Sequence, residues 1–137
     1  MVPGLARVLL VDDEERFRTT MGKLLRKRGF AVEEAGSGHE ALVRIQQGDV
    51  DVVVLDVKMP GMDGIQALAK IKALDPLPEV IILTGHANVD AAVEIMRLGG
   101  YEYLLKPCPI DELVTKIEGA LEKKRAREKV QRSSPAP

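Results

Sequence analysis

Hydrophobic and polar positions follow two rhythms along this chain. Five short stretches are apolar either continuously or at every second residue: ARVLLV at 6–11, FAVEEA at 30–35, VDVVVLD at 50–56, EVIILT at 79–84 and YEYLL at 101–105. Between them, apolar residues recur three and four apart. EERFRTTMGKLLRKRG carries Phe17, Met21, Leu24 and Leu25 at helical spacing, with Gly29 as a stop. GHEALVRIQQG predicts a second helix through Ala41, Leu42 and Ile45, and GIQALAKIKAL a third after the turn at Pro60 and Gly61. NVDAAVEIMRLGG predicts a fourth, with Asn88 as N-cap and Gly99 with Gly100 as its stop. PIDELVTKIEGALEKKRAREKV reads as a long fifth helix, followed by the tail QRSSPAP.

Five strands alternating with five helices predict an α/β fold, a doubly wound parallel sheet with helices on both faces. Right-handed crossovers leave few topologies. The runs at 50–56 and 79–84 are apolar nearly throughout, as strands buried on both faces must be, whereas FAVEEA alternates like an edge strand. Only that edge strand ends in chemically bland residues, Gly36 and Ser37. The expectation is a flavodoxin-like (βα)5 sheet of order 2-1-3-4-5, whose working crevice lies beyond the carboxyl ends of the strands. Those ends carry Asp12 and Asp13, then Asp56, Thr84 and Lys106.

Length and composition narrow the setting. The 137 residues favour one domain with one core. Aromatics are 3% with no Trp, so the core is aliphatic, which suits a parallel sheet under helices. A net charge of −1 gives no general pull toward nucleic acid or anionic membrane. The single Cys108 excludes an internal disulfide and fits a reducing compartment. No apolar run reaches spanning length. The start, MVPGLARVLLVDDEE, places acids directly after a short apolar run, unlike a signal peptide. The expected location is cytoplasmic.

Three carboxylates on one rim repel one another and resist desolvation. A hard cation relieves both, and Mg²⁺ suits one or two carboxylates completed by water and phosphate oxygens. Nothing resembles a calcium loop, and His39, His86 and Cys108 lack zinc-ligand spacing. Asp56 stands at the tip of a central strand, where a carboxylate can attack phosphorus. A metal and Lys106 would then face the phosphoryl oxygens, and Thr84 would offer them a hydroxyl.

The set LLVDDEE, VVVLDVKMPGMDG, VIILTGHA and YEYLLKP resembles the receiver domain of two-component response regulators, over about residues 5–121. LTGHA and GGYEYLLKP are most similar to receivers of NtrC-like and FixJ-like transcriptional regulators. The resemblance implies that Asp56 is the phosphoacceptor and that Asp13 binds Mg²⁺ directly, with Asp12 holding a metal-bound water. It implies the main-chain carbonyl of Lys58 as a further metal ligand, Thr84 as the switch hydroxyl, Tyr103 as the switch aromatic and Lys106 as the phosphoryl-binding lysine. It also implies a cis peptide between Lys106 and Pro107. The donor would be a sensor histidine kinase or a histidine phosphotransfer protein. Phosphorylation would remodel the face made by the fourth helix, fifth strand and fifth helix, where a partner or a second copy would dock.

Plainer roles compete for the same residues. Asp12 and Asp13 could cap the first helix, and Asp63 shapes the turn before the third rather than binding metal. Lys106 could be a solvated surface charge and Tyr103 simple core. His39 and His86 read as surface residues, Cys108 as a packed small residue, and Met59 with Met62 as loop packing. Residues 122–132 hold six basic and two acidic residues, yet no aromatic interleaves them. The apolar stripe through Ile110, Leu113, Val114, Ile117 and Leu121 ends there. The segment 122–137 therefore reads as a solvated basic helix extension with a Ser/Pro-rich tail, not a nucleic-acid-binding element. Two rival functions remain: a phosphorylation-independent interaction module of the same fold, and a Mg²⁺-dependent phosphatase. The phosphatase would need a second acid two residues after its nucleophile, where this chain has Lys58.

Overall fold

A computed structural model describes residues 5–133; the tail at 134–137 lies outside the described residues. Five strands and five helices alternate: β1 (Arg7–Val11), α1 (Glu15–Lys27), β2 (Ala31–Ala35), α2 (Gly38–Gln46), β3 (Val52–Leu55), α3 (Gly64–Leu74), β4 (Glu79–Thr84), α4 (Val89–Arg97), β5 (Glu102–Leu105) and α5 (Ile110–Ser133). The strands form one parallel sheet in the order β2-β1-β3-β4-β5, as expected from the pattern.

Alternation along each strand sorts the core into two layers. Val8 and Leu10 of β1 face α1 and α5, where Met21, Leu25, Leu113, Ile117 and Leu121 close over them. Leu9 and Val11 point to the other face, against Ala41, Ile45, Ala67, Leu68, Ile71 and Ile95 of α2, α3 and α4. The central strands are buried along their whole length, and β2 is half exposed, as an edge should be. Leu24, part of the apolar stripe of α1, is exposed.

Helix starts match the local chemistry. Asn88 caps α4 by accepting from the Ala91 N–H. Asp63 caps α3 in a reciprocal capping box with Gln66, so its turn-shaping role holds. Neither Asp12 nor Asp13 is the N-cap of α1: that position is Glu14, without a side-chain cap bond. Met59 and Met62 are buried in the core layer under α2 and α3.

The basic segment after Leu121 is not simply a solvated face. Helix α5 continues to Ser133 across the amino ends of β3 and β4. There Lys124 pairs with Asp51 at 2.9 Å and also with Glu128. Arg127 pairs with Glu79 at 2.5 Å, and its other amino group donates to the Pro76 carbonyl at 2.8 Å. Glu79 is fully buried.

Candidate functional site

Register brings the site together. Val11 pairs with Leu55 and Leu55 with Ile82, so β1 and β3 end side by side and β4 extends two residues further. The backbone continues the ladder past these ends: Asp12 N–H donates to the Ala35 carbonyl and Asp56 N–H to the Val11 carbonyl, both at 3.1 Å. Lys106 N–H donates to the Thr84 carbonyl at 2.8 Å, which fixes the end of β5 against β4. The three aspartates thus share one rim, and carboxylate oxygens of Asp12, Asp13 and Asp56 lie within 4.8 Å of one another.

The three are not equivalent. Asp12 and Asp56 are buried, while Asp13 is exposed. Asp12 Oδ1 accepts from the Glu14 N–H at 2.9 Å, and its Oδ2 accepts from Lys106 Nζ at 2.6 Å. Lys106 Nζ is also 3.6 Å from Asp56 Oδ2. The other Asp56 oxygen, Oδ1, is buried and has no hydrogen-bond partner. Burial pushes the Asp12 carboxyl above its ordinary value, against the hydrogen bonds from Lys106 and Glu14 and the Lys106 charge; the nearby Asp56 charge pushes the same way as burial. One ammonium therefore does not balance three crowded carboxylates.

These observations test whether a hard cation fits. The donor set is all oxygen, two of its members are buried, and one buried oxygen lacks a partner. Buried carboxylate oxygens are usually partnered; the fully buried Glu79 Oε2 also lacks a hydrogen bond, but Asp56 Oδ1 stands beside two further carboxylates. The residues fit Mg²⁺ or a similar divalent ion.

The loop after β3 shows why Gly64 follows Asp63. A Cβ on Gly64 would come within 2.7 Å of Val57 Cα and closer still to the Asp56 carbonyl oxygen. Gly64 N–H donates to the Val57 carbonyl at 2.7 Å, so the helix start folds directly onto the backbone just after Asp56. Gly61, at a φ of 77°, makes the preceding turn. Lys58 lies in this loop with an exposed side chain.

Thr84 is fully buried at the end of β4, and its hydroxyl accepts from the His86 N–H at 3.4 Å. Tyr103 is half-buried on β5. Its hydroxyl donates to the His86 carbonyl at 2.8 Å and accepts from the Asn88 N–H at 3.3 Å. It spans the loop that leaves Thr84, which makes it more than a core residue. His39 and His86 are exposed, and Cys108 is partly buried. Burial first, then the Glu112 charge, raise the Cys108 thiol against a backbone hydrogen bond with Leu113, so it is no activated nucleophile. The Lys106–Pro107 peptide is cis.

Two neighbours escaped the sequence pattern. Arg18 Nη1 donates to the Asp12 carbonyl at 2.7 Å, with its Nε 3.4 Å from Glu34, bracing the end of β1. Phe17 fits the apolar stripe of α1, yet its ring also lies under Lys106, with Nζ 3.9 Å from the centroid. Helical spacing identifies an inward residue, not which side chain from another strand it meets.

Comparison with known proteins agrees with this geometry. Residues 8–118 match the family model described as response regulator receiver domain. The transcriptional regulatory protein ZraR of Salmonella typhimurium is 40% identical over 121 residues, covering 88% of this chain and 27% of that protein. The C4-dicarboxylate transport transcriptional regulatory protein DctD of Rhizobium meliloti is 38% identical, covering 86% of this chain and 26% of that protein. The chain thus spans about a quarter of the length of these curated relatives. A response regulator receiver domain from Clostridium thermocellum superposes with a TM-score of 0.85 at 37% identity, covering 89% of this chain and 98% of that chain. NtrX from Brucella abortus gives a TM-score of 0.87 at 30% identity, covering 97% of this chain and 31% of that chain.

Proposed function

The chain belongs to the response regulator receiver domain family of two-component signalling, and we propose that it works as a phosphorylation switch with Asp56 as the acceptor. The observation that carries this is the buried, partnerless Oδ1 of Asp56, beside a carboxylate cluster and Lys106. Receivers of this family interact with histidine kinases, and the donor here is the phosphohistidine of a sensor kinase or of a histidine phosphotransfer protein. An Asp56 oxygen attacks phosphorus as the P–N bond to the donor imidazole breaks, and the bonding pair stays with the imidazole nitrogen. Lys106 leaves Asp12 and meets a phosphoryl oxygen. Asp12, Asp13, Asp56 and the main-chain carbonyl of Lys58 are the groups that would hold Mg²⁺. That ion supplies neutralisation of the charge shared by carboxylates and phosphoryl oxygens.

Thr84 and Tyr103 read out the new group. The Thr84 hydroxyl turns from the His86 N–H toward a phosphoryl oxygen. The loop it leaves is the one Tyr103 grips through His86 and Asn88. Moving that loop shifts the population of α4, β5 and α5 between two arrangements. Val89, Val93 and Met96 on α4, with Leu105 on β5, are exposed apolar residues that a partner or a second copy would cover. The unit that switches is the receiver body of residues 5–121. It acts alone or governs the output of a longer transcriptional regulator.

Intact-protein mass after incubation with acetyl phosphate tests the reading, with and without Mg²⁺ and alongside Asp56→Asn. The expected result is a gain of one phosphoryl group that needs Mg²⁺ and vanishes in the variant. A gain that survives Asp56→Asn would place the acceptor elsewhere. No gain, from acetyl phosphate or from a phosphorylated kinase, would favour an interaction module that needs no phosphorylation.

A further inference from the structure

Lys106 is held from three sides, and only two of them are anionic. Asp12 Oδ2 lies 2.6 Å away, Asp56 Oδ2 3.6 Å, and the Phe17 ring centroid 3.9 Å. The ring is half-buried at the start of α1 and packs against the core layer shared with α5, so it has little freedom to turn away. We propose that Phe17 is a positioning residue for Lys106: its ring keeps the ammonium at the crevice while the ammonium exchanges Asp12 for a phosphoryl oxygen.

The physical case rests on what each partner demands. A carboxylate binds an ammonium through a directed hydrogen bond, and that bond must break before Lys106 can serve a phosphoryl group. An aromatic face attracts the same charge through its quadrupole and takes no anionic oxygen in return. The ring contact can therefore persist while the N–H groups re-aim. Lysine is otherwise a compact charge on a flexible four-carbon stem. Without the ring, the stem samples solvent once Asp12 lets go, and fewer encounters with a donor find the ammonium in place. Asp12 and Phe17 thus have opposite effects: one sequesters the lysine, the other keeps it available.

This role rests on Asp56 being the acceptor, so the test separates the two. The rate of Asp56 phosphorylation from acetyl phosphate is measured for the full chain, for Phe17→Leu, for Phe17→Tyr, and for Phe17 replaced by mono-, di- and trifluorinated phenylalanine. Phe17→Leu is expected to slow the reaction by about three- to tenfold. Phe17→Tyr should restore most of the rate, and the rate should fall stepwise as fluorine withdraws charge from the ring face. Equal rates along the fluorinated series, or a wild-type rate in Phe17→Leu, would overturn the role. The fluorinated rings keep the shape, so they decide the matter even where Phe17→Leu perturbs folding. An NMR readout in metal-free protein is independent of turnover: the ε-methylene protons of Lys106 should lie upfield, shifted by the ring current, and return in Phe17→Leu. A wild-type chain that takes no phosphoryl group yet keeps this shift would overturn the acceptor reading instead. Phosphorylation without the shift would overturn the place given to Phe17.

Discussion

Replacing Arg127 by Met should destabilise the protein far more than its partly exposed position suggests. Its guanidinium meets Glu79 Oε1 at 2.5 Å and the Pro76 carbonyl at 2.8 Å. An exposed ion pair contributes about 0–1 kcal/mol, whereas stripping the partner from a buried charge costs about 3–5 kcal/mol. Glu79 is fully buried, and its Oε2 has no hydrogen bond, only Lys123 Nζ at 3.7 Å. Solvent reaches Arg127, and Lys123 remains after the change, so the cost falls at or just below the bottom of the buried range: about 2–3 kcal/mol. Methionine keeps most of the aliphatic stem, so the loss is electrostatic rather than one of packing. The double variant Glu79→Leu/Arg127→Met removes the charge together with its partner and should recover all but about 1 kcal/mol. Urea unfolding of the wild type, both singles and the double closes the cycle, with a coupling of roughly 2 kcal/mol. A loss below about 1 kcal/mol in Arg127→Met, or a double no more stable than that single, would refute the reasoning. Either result would mean that α5 beyond Leu121 lies loosely over the sheet.

Three shorter predictions concern the site. Gly64→Ala forces a Cβ to within 2.7 Å of Val57 Cα and should cost about 1–3 kcal/mol or more in thermal or urea unfolding; unchanged stability would mean the loop after β3 is free to shift. Mg²⁺ at about a hundred times its dissociation constant should stabilise the metal-free protein by about 2.7 kcal/mol, and Asp13→Asn should abolish most of that gain in a thermal-shift titration. Asp12 has its carboxyl raised above the ordinary 3.8, first by burial. The native state then holds that proton more tightly than the unfolded chain, and this contribution, present below 3.8, is lost as pH rises through the folded value. Asp12→Asn should therefore raise the melting temperature of the metal-free protein at pH 7 and flatten its fall between pH 4 and 7; a lower melting temperature would show that the bond to Lys106 outweighs burial.

Periodicity made the sheet legible because parallel strands buried on both faces leave no polar position to disguise them. Val52, Val53, Val54 and Leu55 are all buried, and so is every residue from Glu79 to Thr84. The residues at the strand ends were legible for the same reason: a polar residue that terminates an apolar run must sit on a rim. Relations across elements were harder to see. Nothing in DDEE distinguishes buried Asp12 from exposed Asp13, since the difference is set by where the chain turns into α1. Arg18 and Phe17 look like one charged and one core position of an amphipathic helix. Their contacts with the Asp12 carbonyl and with Lys106 depend on the crossing of α1 over the sheet. The basic run after Leu121 looks solvated because its partners, Glu79 and Asp51, stand 48 and 73 residues earlier at strand starts, where acids are usually exposed.

The two rims of the sheet make the strongest case for what the carboxylates are for. At the amino rim each inward acid has its own counter-charge from within the chain. Asp51 takes Lys124 and the Arg7 N–H, and Glu79 takes Arg127 with Lys123 nearby. The carboxyl rim is built from the same strands and carries three acids. Among the described residues only Lys106 forms an ion pair with any of them. A chain able to station lysines and arginines against the acids of one end, the fully buried Glu79 among them, has left the other end short of positive charge. Filling that end with arginine would make a stable knot, but it would also occupy the oxygens that, on the proposed function, accept phosphorus and metal. The shortfall is therefore the feature that the proposed switch would use. Burial raises the Asp12 carboxyl, the nearby Asp56 charge adds to it, and Asp56 Oδ1 is left without a hydrogen-bond partner. On the proposed function, a divalent cation and a phosphoryl group together would restore what the carboxyl rim lacks.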